Sequence, residues 1–310
     1  MLHLNRLRVF VEVANSGSFS AAADALSYTQ SAVSQQIAAL EAETGVTLIE
    51  RLPRGIRLTT AGSALLSHAE GVLSRLAAAE AEMEAIAGLR GGQLRMASFP
   101  TAGATLMPLA IAIFRAQHPE VEMSLAEGEP DEIAPRLFAG EFDLALLFEF
   151  EGTSESLVAD LVRQPLFEDP MFCALPADHP LAKRQTLRLS DLRAESWVQT
   201  SSSSPCARHV VRCCHAAGFD PIVSFESDDF LTVQGLVAAG VGVALIPKLA
   251  MATARDDIAI RALSPYSPVR NVIAATPEGS RLTPAAAAMS QIMGTVAQRF
   301  AAVPGSGGGD

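Results

Sequence analysis

Apolar residues in the first sixty positions recur at helical intervals, and the intervals are broken by capping and turn residues. Leu4, Leu7, Phe10, Val11 and Ala14 predict a first helix that stops at Asn15-Ser16-Gly17. Ser18 or Ser20 is placed to cap a short second helix through Ala25. After a tight turn at Ser27-Tyr28, Thr29 is placed to cap a third helix that runs to Thr44-Gly45. Three helices with so short a turn between the last two outline a helix-turn-helix. On the third helix Val33, Ile37 and Leu40 share one face and predict packing inward, which leaves Ser31 and Gln35 opposite, with Ser34 at their shoulder. Such a face is an ordinary solvated surface or a short, uncharged surface for a DNA major groove, where Gln can bond adenine bidentately. Thr47–Arg51 and Ile56–Leu58 then read as two short strands around Pro53-Arg54-Gly55, a hairpin with a basic tip.

From Ala61 to about Ala87 the pattern is one long helix. Leu65, Ala69, Val72, Leu76, Ala79, Met83 and Ile86 step by four and three, a seam that calls either for a partner helix or for the protein's own body. Leu89-Arg90-Gly91-Gly92 reads as a hinge. Beyond it, apolar runs such as Leu94–Ala97, Val121–Glu127, Asp143–Phe148, Phe172–Leu175, Val223–Phe225, Val243–Ile246 and Val272–Ala275 alternate with amphipathic helical stretches. That alternation predicts an α/β sandwich with mostly parallel strands.

Composition narrows the picture. At 310 residues, 49% hydrophobic and 18% charged, the chain has material for two or more domains with sizeable cores and is neither disordered nor collagen-like. No apolar run reaches the roughly 18 residues needed to span a bilayer. The nearest, Gly235 to Pro247, is short and glycine-rich, and Arg6, Arg8 and Glu12 interrupt any leader, so a soluble cytoplasmic protein with no membrane partner is expected. The net charge of −11 argues at first against nucleic acid. In the first 60 residues, however, Arg6, Arg8, Arg51, Arg54 and Arg57 balance Glu12, Asp24, Glu41, Glu43 and Glu50, so the whole deficit lies in the remainder. A neutral head with a basic edge can still contact phosphates.

The stretch SFSAAADALSYTQSAVSQQIAALEAETGVTLIERLPRGIRLTTAG resembles the winged helix-turn-helix of the LysR-type transcriptional regulators. The likeness lies in the second helix, the TQxxxSxxIxxLE recognition helix, the RxxRGxxLT wing and the TxAG opening of the next helix. Ser31 stands where the family often has proline and Gln35 where it often has a basic residue, so an operator sequence does not carry over. The resemblance implies DNA contacts from Thr29, Gln30, Ser31, Ser34, Gln35, Arg51 and Arg54. It implies a multidomain chain: a winged helix-turn-helix over 1–60, a dimerising linker helix over 61–88, a hinge at 89–92 and an effector domain over 93–302. The last is expected to be a two-lobed α/β fold like a type-2 periplasmic binding protein, with lobe I at 93–162 plus 267–302 and lobe II at 163–266. A disordered tail follows at 303–310. Promoter DNA, a small-molecule effector, further copies of the chain as dimer or tetramer, and RNA polymerase are the implied partners; no cofactor or metal is expected. A regulator without an effector, or one responding to redox state or metal through cysteines, is the alternative.

Effector chemistry belongs at strand ends in the cleft between lobes, where helix N-termini present free N–H groups. Ser98, Phe99 and Thr101 follow the first strand, and Thr200, Ser201 and Ser202 follow the strand near Trp197; plain N-capping is the simpler role for either set. By position the resemblance adds Gly128, Phe148, Glu226 and Pro247. Glu127, Glu129, Glu226, Asp228 and Asp229 make the expected cleft acidic; Asp131 and Asp229 are expected as helix caps, which leaves Glu127 and Glu226 to face a ligand, one carboxylate accepting its donors. A neutral, hydroxyl-rich or cationic effector held by Ser98, Thr101, Thr200 and Ser202 is expected. Cys206, His209 and Cys213 share one helix face, and peroxide-sensing members of the resembled family place a cysteine pair in this region. On an intact helix the two cysteine Cα atoms stand about 10 Å apart, too far for a disulfide. Cys173, in an apolar run, is expected in the core. Enzyme motifs are missing: there is no GxSxG, HExxH or Walker loop, and Gly240-Val241-Gly242 precedes a strand where a dinucleotide fingerprint would follow one. His3, His68, His118 and His179 are isolated, so no enzyme is expected.

Overall fold

The structure, a computed structural model, describes residues 2–52, 55–86, 92–151, 161–277 and 282–301. The chain divides into two compact units, Met1–Gly92 with Arg136–Phe142, and Gln93–Pro135 with Asp143–Asp310.

In the first unit α1 (Leu4–Ser16) ends on Gly17, whose φ of 66° is the left-handed conformation that closes a helix without a Cβ clash. Ser18 caps α2 (Phe19–Ala25) by accepting from Ser20 N and Ala21 N, and Thr29 caps α3 (Gln30–Thr44) by accepting from Ala32 N. The expected inward face of α3 is buried: Val33, Ile37 and Leu40 pack with Leu7, Phe10, Val13 and Phe19 in one core. Strands β1 (Ile49–Arg51) and β2 (Ile56–Leu58) pair antiparallel, Ile49 opposite Leu58. Glu41 Oε1 anchors the start of this wing by accepting from Leu48 N at 2.8 Å and Ile49 N at 3.2 Å. The wing tip at Arg54, the hinge residues before Gly92 and the C-terminal tail lie outside the described residues.

Helix α4 (Thr60–Ile86) begins where Thr59 Oγ1 accepts from Gly62 N. A Cβ on Gly62 would stand 2.1 Å from the Leu48 carbonyl oxygen, so the helix can pass this close to the wing only with glycine there. The seam expected along α4 divides in two. Ala69 is buried and Leu65 half-buried in the head core, so its first part packs on the protein itself. Val72, Leu76 and Met83 are 49%, 39% and 59% exposed, and the side chain of Ile86 is outside the described set.

The second unit runs β3 (Gly92–Ser98), α5 (Pro100–Gly103), α6 (Leu106–Gln117), β4 (Val121–Glu127), α7 (Pro130–Phe138), β5 (Leu144–Glu149), β6 (Leu161–Pro176), β7 (Thr186–Leu187), β8 (Ser196–Gln199), α8 (Pro205–Ala216), β9 (Ile222–Glu226), α9 (Phe230–Ala238), β10 (Ala244–Pro247), β11 (Ile258–Leu263), β12 (Val269–Pro277) and α10 (Pro284–Ala301). The main sheet has the order β4-β3-β5-β12-β6-β11-β7, with β10 also on β6, and β8 pairs β9 separately. Parallel pairing, expected for most strands, holds for β3–β5, β8–β9 and β7–β11. It fails at the centre, where β12 runs antiparallel to both β5 and β6, and β6 runs antiparallel to β10 and β11. The reason is the crossing chain. Residues 161–170 of β6 pair with β12, and residues 171–176 of the same strand pair with β10 and β11, so one 16-residue strand serves both lobes and β12 returns against it.

Candidate functional site

On the head, the exposed face of α3 carries Gln30, Ser31 and Gln35, with Thr29 exposed at its cap and Ser34 half-buried. Thr29 Oγ1 and Ser31 Oγ lie 3.0 Å apart. Arg51 extends from β1 to donate to Ser34 Oγ at 3.3 Å, and its guanidinium lies 4.4 Å from the centre of the Phe19 ring. The wing and α3 are thereby joined through one cation, which uses one of its five N–H donors on Ser34. Arg57 is paired with Glu50 instead.

The cleft of the second unit is built around a residue absent from the expected set. Arg270, near the start of β12, is 1% exposed, and its Nε donates to Asp169 Oδ2 at 3.1 Å. Asp169 is itself fully buried, and its Oδ1 accepts from Leu249 N at 3.0 Å just past Pro247. Arg270 Nη2 also donates to Thr101 Oγ1 at 2.9 Å, and Nη1 lies 3.9 Å from Cys206 Sγ at the start of α8. Its plane covers Phe148 and Phe99, at 4.7 and 5.1 Å, and these rings meet edge to face. Five elements therefore converge on one guanidinium. The signal for it was a single arginine at the head of the apolar run Val269–Ala275, a cation that a buried strand tolerates only when paired.

The expected residues fall into two groups. Phe99, Thr101 and Phe148 gather around Arg270, whereas Ser98 is turned to the backbone: its Oγ donates to Phe99 O, and Gly128 N donates to Ser98 O. On lobe II, Thr200 Oγ1 and Ser204 Oγ are 2.6 Å apart, and Ser204 caps α8. The amides expected to greet a ligand are already engaged: Ser201 N donates to Asp228 Oδ1 at 2.8 Å and Ser202 N to Glu226 Oε2 at 3.2 Å. Asp229 caps α9 as expected, through Leu231 N and Thr232 N. Asp131 does not cap. It sits inside the first turn of α7 and its carboxylate pairs across the cleft with Arg208 of α8. Beside that pair, His209 lies flat on Phe150, ring centres 3.9 Å apart and planes at 6°.

Burial dominates the titration of this region. It pushes the Cys206 thiol up to about 12, although Arg270 acts the other way, and it lowers His209 to about 4 with help from Arg212. Glu129 rises to about 7, chiefly by desolvation, with Arg270 opposing and nearby carboxylates adding to the rise. A carboxyl raised in this way binds its proton more tightly when folded, so its contribution is full below about pH 4.5 and is lost as pH rises through 7. Glu129→Gln is therefore expected to remove that decline. In urea unfolding followed by Trp197, the chain's one tryptophan and a buried residue of this unit, the variant should gain on the wild type between pH 5 and 7 and run parallel above. A constant difference across that range would mean that the carboxyl is already ionised. His209 shifts the other way in both proteins and cancels.

The cysteines do not assemble a second centre. Cys206 and Cys213 stay on one uninterrupted helix, Cys173 is buried in β6, and no group of three or more His, Cys, Asp or Glu among the described residues is placed to hold a metal ion.

Residues 4–63 match the family model described as bacterial regulatory helix-turn-helix protein, lysR family, and residues 87–298 match the LysR substrate binding domain. The chain is 33% identical over 287 residues to the transcriptional dual regulator GltC of Bacillus subtilis (strain 168), covering 92% of this chain and 94% of that one. It is 30% identical to the DNA-binding transcriptional dual regulator OxyR of Escherichia coli (strain K12), over 81% of this chain and 80% of that one. Full-length CbnR in complex with its target DNA superposes with a TM-score of 0.69 at 23% identity, over 95% of this chain and all of that one, a likeness of fold. The two family models together match the helix-turn-helix head and the two-lobed domain, and the chain belongs to the LysR family of DNA-binding transcriptional regulators.

Proposed function

We propose that the chain reads promoter DNA with the face Gln30, Ser31 and Gln35, positioned by Thr29, Ser34 and Arg51 and, at the wing tip, Arg54, and that a small molecule in the interlobe cleft alters how paired heads sit on that DNA. The observation that carries the DNA half is the uncharged, exposed face of α3 beside Arg51, which is tethered to Ser34 yet keeps donors free. The observation that carries the effector half is the convergence of both lobes on Arg270. The cleft lining comprises Ser98, Phe99, Thr101, Gly128 and Phe148 on one lobe, and Thr200, Ser201, Ser202, Glu226 and Pro247 on the other. In this reading α4 pairs two copies through its exposed half, the head ends near residue 60, the protein works in the cytoplasm, contacts RNA polymerase at promoters and catalyses no reaction.

Gln35→Ala separates reading from positioning. It should cost about 1–3 kcal/mol per half-site and relax the preference at the base it contacts, with the salt dependence unchanged. Binding-site selection with the variant measures both; an unaltered preference would remove Gln35 from the reading face.

A cysteine-based response is the second reading, and one contact favours it, Arg270 against Cys206 Sγ. Burial opposes it by keeping the thiol protonated. Mass spectrometry of the peroxide-treated full chain decides: an unmodified Cys206 at doses that oxidise exposed methionine excludes this reading.

A further inference from the structure

The effector class follows from which polar groups of the cleft are already engaged and which are left over, and the inference rests on the reading of the cleft as the effector site. Apart from Arg212, which is exposed and contacts the His209 ring, the anion-binding features named above have internal partners. Arg270 is held by Asp169 and Arg208 by Asp131, and the Ser201 and Ser202 amides at the approach to α8 are held by Asp228 and Glu226. A carboxylate or phosphate entering here would meet occupied donors and the acids Glu129, Glu226 and Asp228.

Five buried side-chain atoms among the described residues lack a hydrogen-bond partner, Glu129 Oε2, Asp131 Oδ1, Trp197 Nε1, Gln199 Oε1 and His209 Nε2. Of these, Asp131 is already engaged by Arg208 through its other oxygen, and the pair that concerns the effector is His209 with Glu129. His209 is 6% exposed and its Nε2 has no hydrogen-bond partner among the described residues. Its Nδ1 faces Arg212 Nη2 at 3.0 Å. A guanidinium can only donate, so Nδ1 is the acceptor and the neutral ring carries its proton on Nε2. Nε2 is thus a buried N–H donor between the lobes, on a ring stacked against Phe150. The opposite member is Glu129 Oε2, a buried acceptor with no partner. The two belong to one neighbourhood, because Glu129 acts electrostatically on both Arg270 and Cys206, and His209 is one helical turn beyond Cys206. Buried polar atoms of this kind are ordinarily satisfied, so a donor stacked on Phe150 and an acceptor near Arg270, both left open, describe the ligand that satisfies them.

We infer that the effector carries no net negative charge and presents an acceptor to His209 Nε2 and a donor to Glu129 Oε2, of which a primary amide on a flat or apolar skeleton is the simplest case. The carbonyl accepts from the imidazole and the amide N–H donates to the carboxyl. An acid of the same skeleton adds a charge beside Glu226 and Asp228 and, once Glu129 is ionised, has no proton to give it.

Matched pairs test this on the full chain by thermal shift: acetate and acetamide, glutamate and glutamine, benzoate and benzamide, nicotinate and nicotinamide. At least one amide is expected to raise Tm in a saturable way while its acid does not. His209→Phe, which keeps the stack on Phe150 but removes the donor, should weaken that amide at least tenfold, and Glu129→Leu should do the same. Stabilisation by acids alone, an amide response that both variants retain, or no response to any pair would overturn the assignment. The first two outcomes would leave the cleft standing as the effector site. None of the three bears on DNA binding, which is measured separately by site selection.

Discussion

Replacing Arg270 with methionine is expected to cost the effector domain about 3–5 kcal/mol, because the change leaves Asp169 fully buried with only Leu249 N against its charge. The cost arises from the orphaned carboxylate more than from the lost attraction. The double variant Arg270→Met with Asp169→Leu should therefore recover most of it, since a buried ion pair and an apolar pair of similar volume are often close in stability. Chemical denaturation followed by Trp197 fluorescence reads this domain selectively. A loss below about 1 kcal/mol for the single variant, or a double variant no better than the single, would show that the pair is not the centre of the cleft.

Leu76→Glu is expected to have the largest effect on DNA binding. Leu76 is 39% exposed on a helix whose first turns are already committed to the head core, while Val72 and Met83 of the same seam are more exposed still. Residues spaced like this on a free helix are covered by a second helix, and a carboxylate at the centre of such a contact cannot be buried cheaply. Monomers should then appear in sedimentation, and binding to a site with two half-sites should fall toward that of one head. A variant that remains dimeric and binds with wild-type affinity would place self-association elsewhere.

The head was the most legible part of the chain because its signals are local. Gly17 and Gly45 stop helices, Ser18 and Thr29 start them, and the three-four spacing of Val33, Ile37 and Leu40 states which face is buried. Glu41, which holds the wing through two amides, reads in sequence as one more charge on a helix. The seam of α4 was legible as a pattern, yet pattern does not say that Leu65 and Ala69 would be taken by the head. In the second unit the strands were visible as apolar runs, but direction is a tertiary property, and the antiparallel centre follows from β6 serving two lobes. The cleft was legible only at its rim. Hydroxyl-rich helix starts and acids lie in short motifs, whereas Arg270 and Asp169 are 101 residues apart and each looks like an isolated charge beside an apolar run. Glu226, expected in sequence to face a ligand, and Asp228, expected only to border the cleft, instead accept from the Ser202 and Ser201 amides.

The central claim is that this chain reads DNA as paired winged heads, and selection of binding sites from a random duplex library by the purified full-length protein tests it most directly. The account predicts enrichment of a two-fold symmetric site, its half-sites separated by one or more helical turns of about 10 base pairs, with enrichment weakening as salt is raised. Recovery of no sequence above the starting library, at low salt and with folded protein, would contradict it.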